Sequence, residues 1–249
     1  MIDLSLYDAE CIDWHTRLAP PAAGQVHLWY WTDQQSEGDW LDWLDESESE
    51  HHAKLASEEL RHRYLAAHGG VRRLLASYLG CEPRGVPLRR GLHGKPMIHG
   101  TQPDALPLEF NLSHTSGHVV AAVAGEPVGV DIEALRPVSN RTALAAKHFT
   151  RSELERLQSL AGDAAAGYFF RTWTRKEAAA KLTGLGLAAP VQQFSTGASP
   201  TGVVSLPRSW GTPITTCWLA DVAAHSATRA AVACTAEPGS ITCYRPLDR

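Results

Sequence analysis

The sequence predicts an α+β fold made of two similar lobes, related by an approximate twofold axis, with an antiparallel sheet packed against helices in each lobe. Two observations carry this prediction. Helical blocks of similar pattern occur in each half, "RYLAAHGGVRRLLASYLG" at 63–80 and "RTWTRKEAAAKLTGLG" at 171–186. Turns and strand-like runs follow each block. We expect an N-terminal lobe over 1–117, a C-terminal lobe over 118–249, and an active site in the seam between them.

The elements of the first half follow from local patterns. "QVHLWYW" at 25–31 is rich in aromatic residues and predicts a strand. Residues 31–46 predict a short amphipathic helix whose Trp40, Trp43 and Leu44 enter the core. The stretch 47–80 opens with serines and acids and closes at Gly80, which predicts one long helix. Residues 81–108 are dense in Gly, Pro and Arg and predict turns.

The second half repeats this alternation. Two apolar runs within "GHVVAAVAGEPVGVDIE" at 117–133 are separated by Gly125, Glu126 and Pro127, which predicts a β-hairpin. Residues 150–160 and 167–186 predict two helices, the second ending at Gly184 or Gly186. Short apolar runs between 190 and 249 predict further strands.

Composition excludes several classes of protein. With 249 residues, 44% hydrophobic and 20% charged, the chain has the composition of an ordinary globular protein. Its net charge of −4 excludes the broad positive field of a nucleic-acid binder. Five scattered cysteines without CxxC spacing predict free thiols in a reducing compartment. Because the N-terminus lacks the pattern of a secretory signal and no apolar run is long enough to span a membrane, we expect a cytoplasmic protein with no membrane partner.

Two acids follow the buried-strand pattern of "PVGVDIEALRP" at 127–137. In a strand, Asp131 and Glu133 point to the same side, while Val130 and Ile132 point to the other. Neighbouring carboxylates repel unless a cation lies between them, and their oxygens suit Mg²⁺. The alternative is a strand end that runs into solvent, with Glu133 and Arg136 as surface charges.

A second charged pair lies in "WTRKEAAAK" at 173–181. Glu177 and Lys181 are four residues apart, so they share one helix face, with Trp173 one turn earlier. An exposed ion pair is one interpretation. The aromatic residues just upstream favour a packed helix, in which a buried Glu and Lys need partners.

Together these stretches resemble the 4'-phosphopantetheinyl transferases, in the larger, pseudo-dimeric branch that activates nonribosomal peptide and polyketide synthases. "VGVDIE" is followed, 46 positions after its Asp, by the Glu of "WTRKEAAAK". "GKP" at 94–96 and "FNLSHTSG" at 110–117 resemble two other motifs of that family, in the expected order. "RYLAAHGGVR" at 63–72 is similar to the family's N-terminal helical segment.

The resemblance implies Mg²⁺-dependent transfer of phosphopantetheine from coenzyme A to a serine of an apo carrier protein, with release of 3',5'-ADP. It implies that Asp131, Glu133 and Glu177 bind the metal. Lys181 would contact the diphosphate as a second catalytic group, with Lys176 as a less clear neighbour. Glu177 or a metal-bound water would act as the base.

The coenzyme A site is implied by the same resemblance. The residues expected around the nucleotide and its 3'-phosphate are Arg63, His68, Arg72, Lys95, Pro96, Ser113 and His114. His68 stands where many members of the family carry arginine or lysine, so the grip on the 3'-phosphate would be weaker or sensitive to pH.

The expected partners are apo carrier proteins or domains of polyketide, nonribosomal peptide or fatty acid synthases. We expect them to dock on residues 147–157 and on those just after Lys181, where Phe149 and Leu182 are the candidate contacts. A monomer is expected, since two internal lobes already form the cleft. Two other functions stay open: a catalytically silent relative that binds carrier proteins or a nucleotide, and a Mg²⁺-dependent phosphoester hydrolase.

Overall fold

The computed structural model describes residues 4–14, 16–35, 38–99 and 107–247 and has an α+β architecture. The described helices are α1 (Glu46–Lys54), α2 (Glu58–Leu79), α3 (Arg141–His148), α4 (Arg151–Gln158) and α5 (Gly162–Leu182). The strands are β1 (Glu10–Ile12), β2 (Gln25–Thr32), β3 (Leu88–Arg90), β4 (Pro96–Ile98), β5 (Glu109–Thr115), β6 (His118–Ala124), β7 (Val128–Ala134), β8 (Thr201–Ser205), β9 (Thr216–Val222), β10 (Thr228–Cys234) and β11 (Ser240–Pro246). Among these described residues, no helix has the length and apolar character needed to cross a bilayer.

The strands form two large sheets and one short pair. The first sheet has the order β1-β11-β2-β6-β5, the second has the order β7-β10-β9-β8, and β3 pairs with β4. Apolar side chains from both large sheets form a shared core that includes Leu28, Tyr30, Val130 and Val232. Helix α2 packs on the other face of the first sheet and α5 on that of the second.

Helix α2 begins and ends where its terminal residues satisfy the backbone. The side chain of Ser57 accepts a hydrogen bond from the backbone N–H of Leu60, and Gly80 ends the helix in the left-handed region, with φ of 66°. The long helix predicted over 47–80 is therefore two helices, because the chain leaves the helical conformation at Leu55 and restarts after Ser57. Within the predicted amphipathic segment, the described residues Gly38–Trp43 form a 3₁₀-helix, and Trp40 is buried as expected.

One prediction about strand pairing is wrong. β6 and β7 do not form a hairpin, since β6 pairs with β2 and β5 in one sheet while β7 pairs with β10 in the other. β5 and β6, on either side of the turn at 116–117, pair directly in the first sheet. The C-terminal strand β11 also returns to the first sheet, between β1 and β2. The chain passes from the first sheet to the second in the segment 125–127, between β6 and β7.

Candidate active site

Strand β7 carries Asp131 into the junction between the two sheets. Val130 and Ile132 are buried in the shared core, as alternation predicted. Asp131 is also buried, with 4% of its surface exposed, whereas Glu133 is half-buried. The interpretation of this stretch as a strand end running into solvent therefore fails for Asp131. A buried carboxylate needs hydrogen bonds or a cation to stay ionised.

Asp131 meets two side chains from other elements. Lys181 Nζ, from α5, lies 2.6 Å from Asp131 Oδ1 and donates to Ser113 Oγ at 2.8 Å. Ser113, from β5, donates to the same Asp131 oxygen at 2.8 Å. The other carboxylate oxygen, Oδ2, is buried and has no hydrogen-bond partner among the described residues. Three distant segments of the chain thus converge on one carboxylate, half of whose hydrogen-bonding capacity is unused.

Side chains rather than main-chain bonds join β5 to β7. Asn111 Oδ1, Ser113 Oγ and Thr115 Oγ1 accept hydrogen bonds from the backbone N–H groups of Val130, Ile132 and Ala134, at 2.8, 3.3 and 3.4 Å. These three β5 side chains lie two residues apart, so all face β7. We call them the seam ladder. The ladder holds the backbone on both sides of Asp131 and so fixes that carboxylate relative to β5.

A glycine allows α5 to approach β7 closely. A Cβ atom on Gly129 would lie 2.0 Å from the carbonyl oxygen of Ala178 and 2.5 Å from the backbone nitrogen of Leu182. No residue other than glycine fits this contact without a backbone shift. The close approach brings Glu177 and Lys181, on the same helix, up to Asp131.

The electrostatics of Glu133 and Glu177 indicate an acidic cluster centred on Asp131. Burial raises the pKa of Glu177 above its usual carboxyl value, and the charge of Asp131 raises it further, while Lys181 lowers it. Burial and then Asp131 likewise raise the pKa of Glu133, against the effect of Arg136 and Lys181. Within the described residues, no group of three His, Cys, Asp or Glu side chains already has a metal-binding arrangement.

A cavity of about 240 Å³ opens beside this cluster. Its lining includes Lys95 and Pro96 of the "GKP" stretch, Asn111 of the seam ladder, and Glu177 and Lys181 of α5. Lys95 Nζ donates to the carbonyl oxygens of Val128 and Lys181, at 3.2 and 3.0 Å, so it bonds both elements that carry the acids. Larger clefts lie elsewhere, near Tyr30 and near Arg171, but their linings include none of the predicted site residues.

Three of the predicted phosphate-binding residues, Arg63, His68 and His114, lie close enough to interact electrostatically. The pKa of His114 is lowered to about 4, chiefly because protein packs around its ring, although part of the residue remains exposed. The positive charges of His68, Lys181 and Arg63 act in the same direction, which means that all three lie near His114. Arg63 also pairs with Glu59 on the same helix.

Two predicted coenzyme A residues have other contacts. Arg72 is 1% exposed; its guanidinium pairs with Asp45 and Glu48 and donates to three loop carbonyls, of Pro83, Arg84 and Val86. Lys176 is also 1% exposed, pairs with Glu153 at 2.9 Å, and donates to the carbonyls of Val191 and Phe194. Their donors are taken by protein groups, so we leave both residues out of the candidate site.

The candidate docking contacts Phe149 and Leu182 are core residues. They are 4% and 2% exposed, and Phe149 stacks on Phe169 with ring centroids 5.5 Å apart. Neither side chain can form a surface contact without unfolding. The exposed members of the same two segments include Lys147, Arg151 and Leu187.

Comparisons with known proteins identify relatives of this chain. A family model described as the 4'-phosphopantetheinyl transferase superfamily matches residues 127–235, which include Asp131 and Lys181. The chain is 35% identical over 196 residues to the 4'-phosphopantetheinyl transferase HetI of Nostoc sp., covering 75% of this chain and 82% of HetI. It is 33% identical over 150 residues to a Bacillus subtilis 4'-phosphopantetheinyl transferase and 30% identical over 149 residues to Sfp of Bacillus subtilis. Each of the last two matches spans 60% of this chain and 64% of the relative.

Proposed function

The chain belongs to the 4'-phosphopantetheinyl transferase superfamily, and from this membership we propose that it transfers the 4'-phosphopantetheine arm of coenzyme A to a serine of an apo carrier protein, releasing 3',5'-ADP. One observation carries the proposal. Asp131, Ser113 and Lys181, from three separate motifs of the sequence, make direct contact beside a cavity that Glu177 also lines. A fold that buried an acid only for stability would have no reason to leave Asp131 Oδ2 without a partner.

Asp131, Glu133 and Glu177 would hold Mg²⁺. Their carboxylate oxygens are the ligands this ion prefers, and Asp131 Oδ2 has a free bonding position. The raised pKa values of Glu133 and Glu177 reflect burial and then mutual repulsion, and a bound cation would relieve that repulsion. When bound, Mg²⁺ supplies neutralisation of the charge on the diphosphate of coenzyme A.

The residues of the chain then divide the remaining work. Lys181 donates to the diphosphate and stabilises the charge that grows on the departing 3',5'-ADP. Glu177 accepts the proton of the attacking serine hydroxyl, a role helped by its raised pKa. Arg63, His68 and His114 bind the 3'-phosphate, whose negative charge would raise the pKa of His114 again. The cavity next to Lys95 and Pro96 would take the nucleotide.

We also propose that the two sheets belong to two related lobes, with the boundary between β6 and β7. The orders β2-β6-β5 and β7-β10-β9 match, and Val26 pairs with Ala124 as Val128 pairs with Cys234. In this alignment Trp29 takes the place of Asp131.

The contacts of the aligned residues support the same repeat. Tyr78 contacts Trp29 as Lys181 contacts Asp131. Six residues before Tyr78 and Lys181 stand Arg72 and Arg175, two buried guanidinium groups that each bond the carbonyls of a following loop. Because Trp29 stands at the position that matches Asp131, we propose that this carboxylate is present in the second lobe and replaced in the first.

The acceptor would be a carrier protein or domain of a polyketide, nonribosomal peptide or fatty acid synthase. Such partners are small and acidic, and the exposed side chains of the two segments include basic Lys147 and Arg151 and the apolar Leu187, which is 97% exposed and lines the cavity. We propose that these three residues, rather than Phe149 and Leu182, contact the partner, and that the enzyme acts as a monomer.

The test is to incubate the protein with coenzyme A, Mg²⁺ and an apo carrier protein and to weigh the carrier by mass spectrometry. A gain of one phosphopantetheine arm supports transfer. An unchanged carrier that binds the protein tightly would point to a catalytically silent relative, and coenzyme A breakdown without acceptor would point to a hydrolase. Asp131→Ala and Glu177→Ala should abolish the mass gain. Asp163→Ala, which removes an exposed acid from the first turn of α5, should not.

A further inference from the structure

The cation that contacts Asp131 is the ammonium group of Lys181. Lys181 Nζ is 2.6 Å from Asp131 Oδ1, and Ser113 supports the same oxygen. The side chain of Asp131 is 6% exposed and that of Lys181 is 24% exposed, so this ion pair lies at the wall of the cavity. Lys181 is therefore the positive charge that offsets this carboxylate before any ligand arrives.

A divalent ion would have to share Asp131 with this ammonium group. Two cations on one carboxylate repel each other, and this repulsion is strong at short range in a partly buried site. Lysine can avoid the conflict, because its charge sits on a flexible stem with three freely rotating donors. The cavity gives the stem room to move, since Lys181 and Glu177 both line it.

We propose that Lys181 is a built-in competitor of the metal, which leaves Asp131 only when the diphosphate of coenzyme A offers it a new partner. This inference rests on the proposed function. The metal then binds weakly to the free protein and tightly together with coenzyme A. By linkage, the metal strengthens coenzyme A binding by the same factor. While Lys181 pairs with Asp131, a divalent ion binds poorly in the absence of coenzyme A.

The chain provides a matched control on the same cavity. Lys95 is also a lysine of the cavity wall, but its Nζ bonds the carbonyls of Val128 and Lys181, and the carboxylate that acts on its charge is Glu109. Removing the charge of Lys95 changes the charge of the cavity by the same amount as removing that of Lys181. It leaves the ammonium group on Asp131 in place.

The experiment is a titration of the purified protein with Mn²⁺, with and without coenzyme A. The concentration of free Mn²⁺ is measured at each step by electron paramagnetic resonance. Without coenzyme A, Lys181→Met should bind Mn²⁺ about tenfold more tightly than the wild type or more, and Lys181→Gln should do the same. Without coenzyme A, Lys95→Met should bind Mn²⁺ less tightly than Lys181→Met, because the ammonium group of Lys181 stays on Asp131. Coenzyme A should increase Mn²⁺ affinity much more in the wild type than in Lys181→Met.

Two results would overturn the inference, and they differ from each other. If Mn²⁺ binds with coenzyme A in the wild type but Lys181→Met and Lys181→Gln, shown to be folded by circular dichroism, bind it no more tightly than the wild type without coenzyme A, the competition is absent while the proposed metal site stands. If Mn²⁺ binds none of the proteins even with coenzyme A, the metal assignment fails, and the competition fails with it.

Discussion

Gly129→Ala tests how strictly the contact between α5 and β7 sets the site. The added Cβ would lie 2.0 Å from the carbonyl oxygen of Ala178, whereas ordinary contacts begin at 3.4 Å. This oxygen and the next neighbour, the backbone nitrogen of Leu182 at 2.5 Å, are both backbone atoms, so no side-chain rotation can relieve the clash. The helix must therefore move from the strand by about 1.4 Å, or the strand must bend by a similar amount.

That displacement exceeds what the site can absorb. Glu177 lies on the helix and Asp131 on the strand, so a shift of this size separates two carboxylates that would share one Mg²⁺. A misplacement of about 1 Å can cost roughly 100-fold in rate, so we expect a loss of about that size in phosphopantetheine transfer. Overpacking should also lower the free energy of unfolding by about 1 to 3 kcal/mol.

The assays are carrier mass gain against time and urea unfolding followed by circular dichroism. Gly167→Ala is the matched control, because Gly167 lies in the same helix and a Cβ there meets nothing within 4 Å. It should stabilise the protein by about 0.5 to 1 kcal/mol and leave transfer unchanged, since alanine suits a helix interior better than glycine. A Gly129→Ala protein with wild-type stability and rate would refute the steric argument.

Three further predictions concern stability. Arg72→Met should lower the free energy of unfolding by about 3 to 5 kcal/mol in urea, because the buried Glu48 loses its cation; a change under about 1 kcal/mol would contradict this. Burial alone would raise the pKa of Glu153, but Lys176 and its hydrogen bonds hold it below the usual 4.5. The stabilisation from Glu153 is thus fully present above pH 4.5 and is lost as the pH falls through the lowered pKa. On acidification, the unfolding temperature should therefore drop less in Glu153→Gln than in the wild type. An equal drop in both proteins would contradict this prediction. Tyr78→Phe removes the acceptor that lies 3.0 Å from Trp29 Nε1 and should cost about 1 to 3 kcal/mol without weakening coenzyme A binding; unchanged thermal unfolding would disprove the role of this bond.

Local patterns predicted the elements that matter most for the site. The alternation around Asp131 placed it on a strand face, and the i,i+4 spacing placed Glu177 and Lys181 on one helix face. The contact of Lys181 with Asp131 follows from these two elements once they pack together. Which residues pack together came from the motif resemblance, since neither spacing alone brings a helix and a strand 50 positions apart into contact.

Several contacts could not be predicted from the sequence for one physical reason, which is that long-range partners are invisible in a local pattern. Lys176 adjoins Glu177 in sequence, but successive helix positions point in different directions, and Glu153 on α4 takes its charge. The turn at 125–127 has hairpin composition, yet β7 finds its partner in β10, a hundred residues later. Asn111 and Thr115 went unnoticed as joining residues, although polar side chains at every second position of β5 were a signal for a side-chain contact.

The seam ladder also protects the molecule from its neighbours. A strand at the margin of a sheet carries unpaired amide groups that can capture a strand from another chain, and this is a common route to aggregation. β5 and β7 are both edge strands of their sheets. Three β5 side chains accept hydrogen bonds from the backbone of β7, so these two edges cover each other and are closed to a strand from another chain. The same three polar residues that hold the backbone around Asp131 therefore also keep these two strands from pairing with another chain.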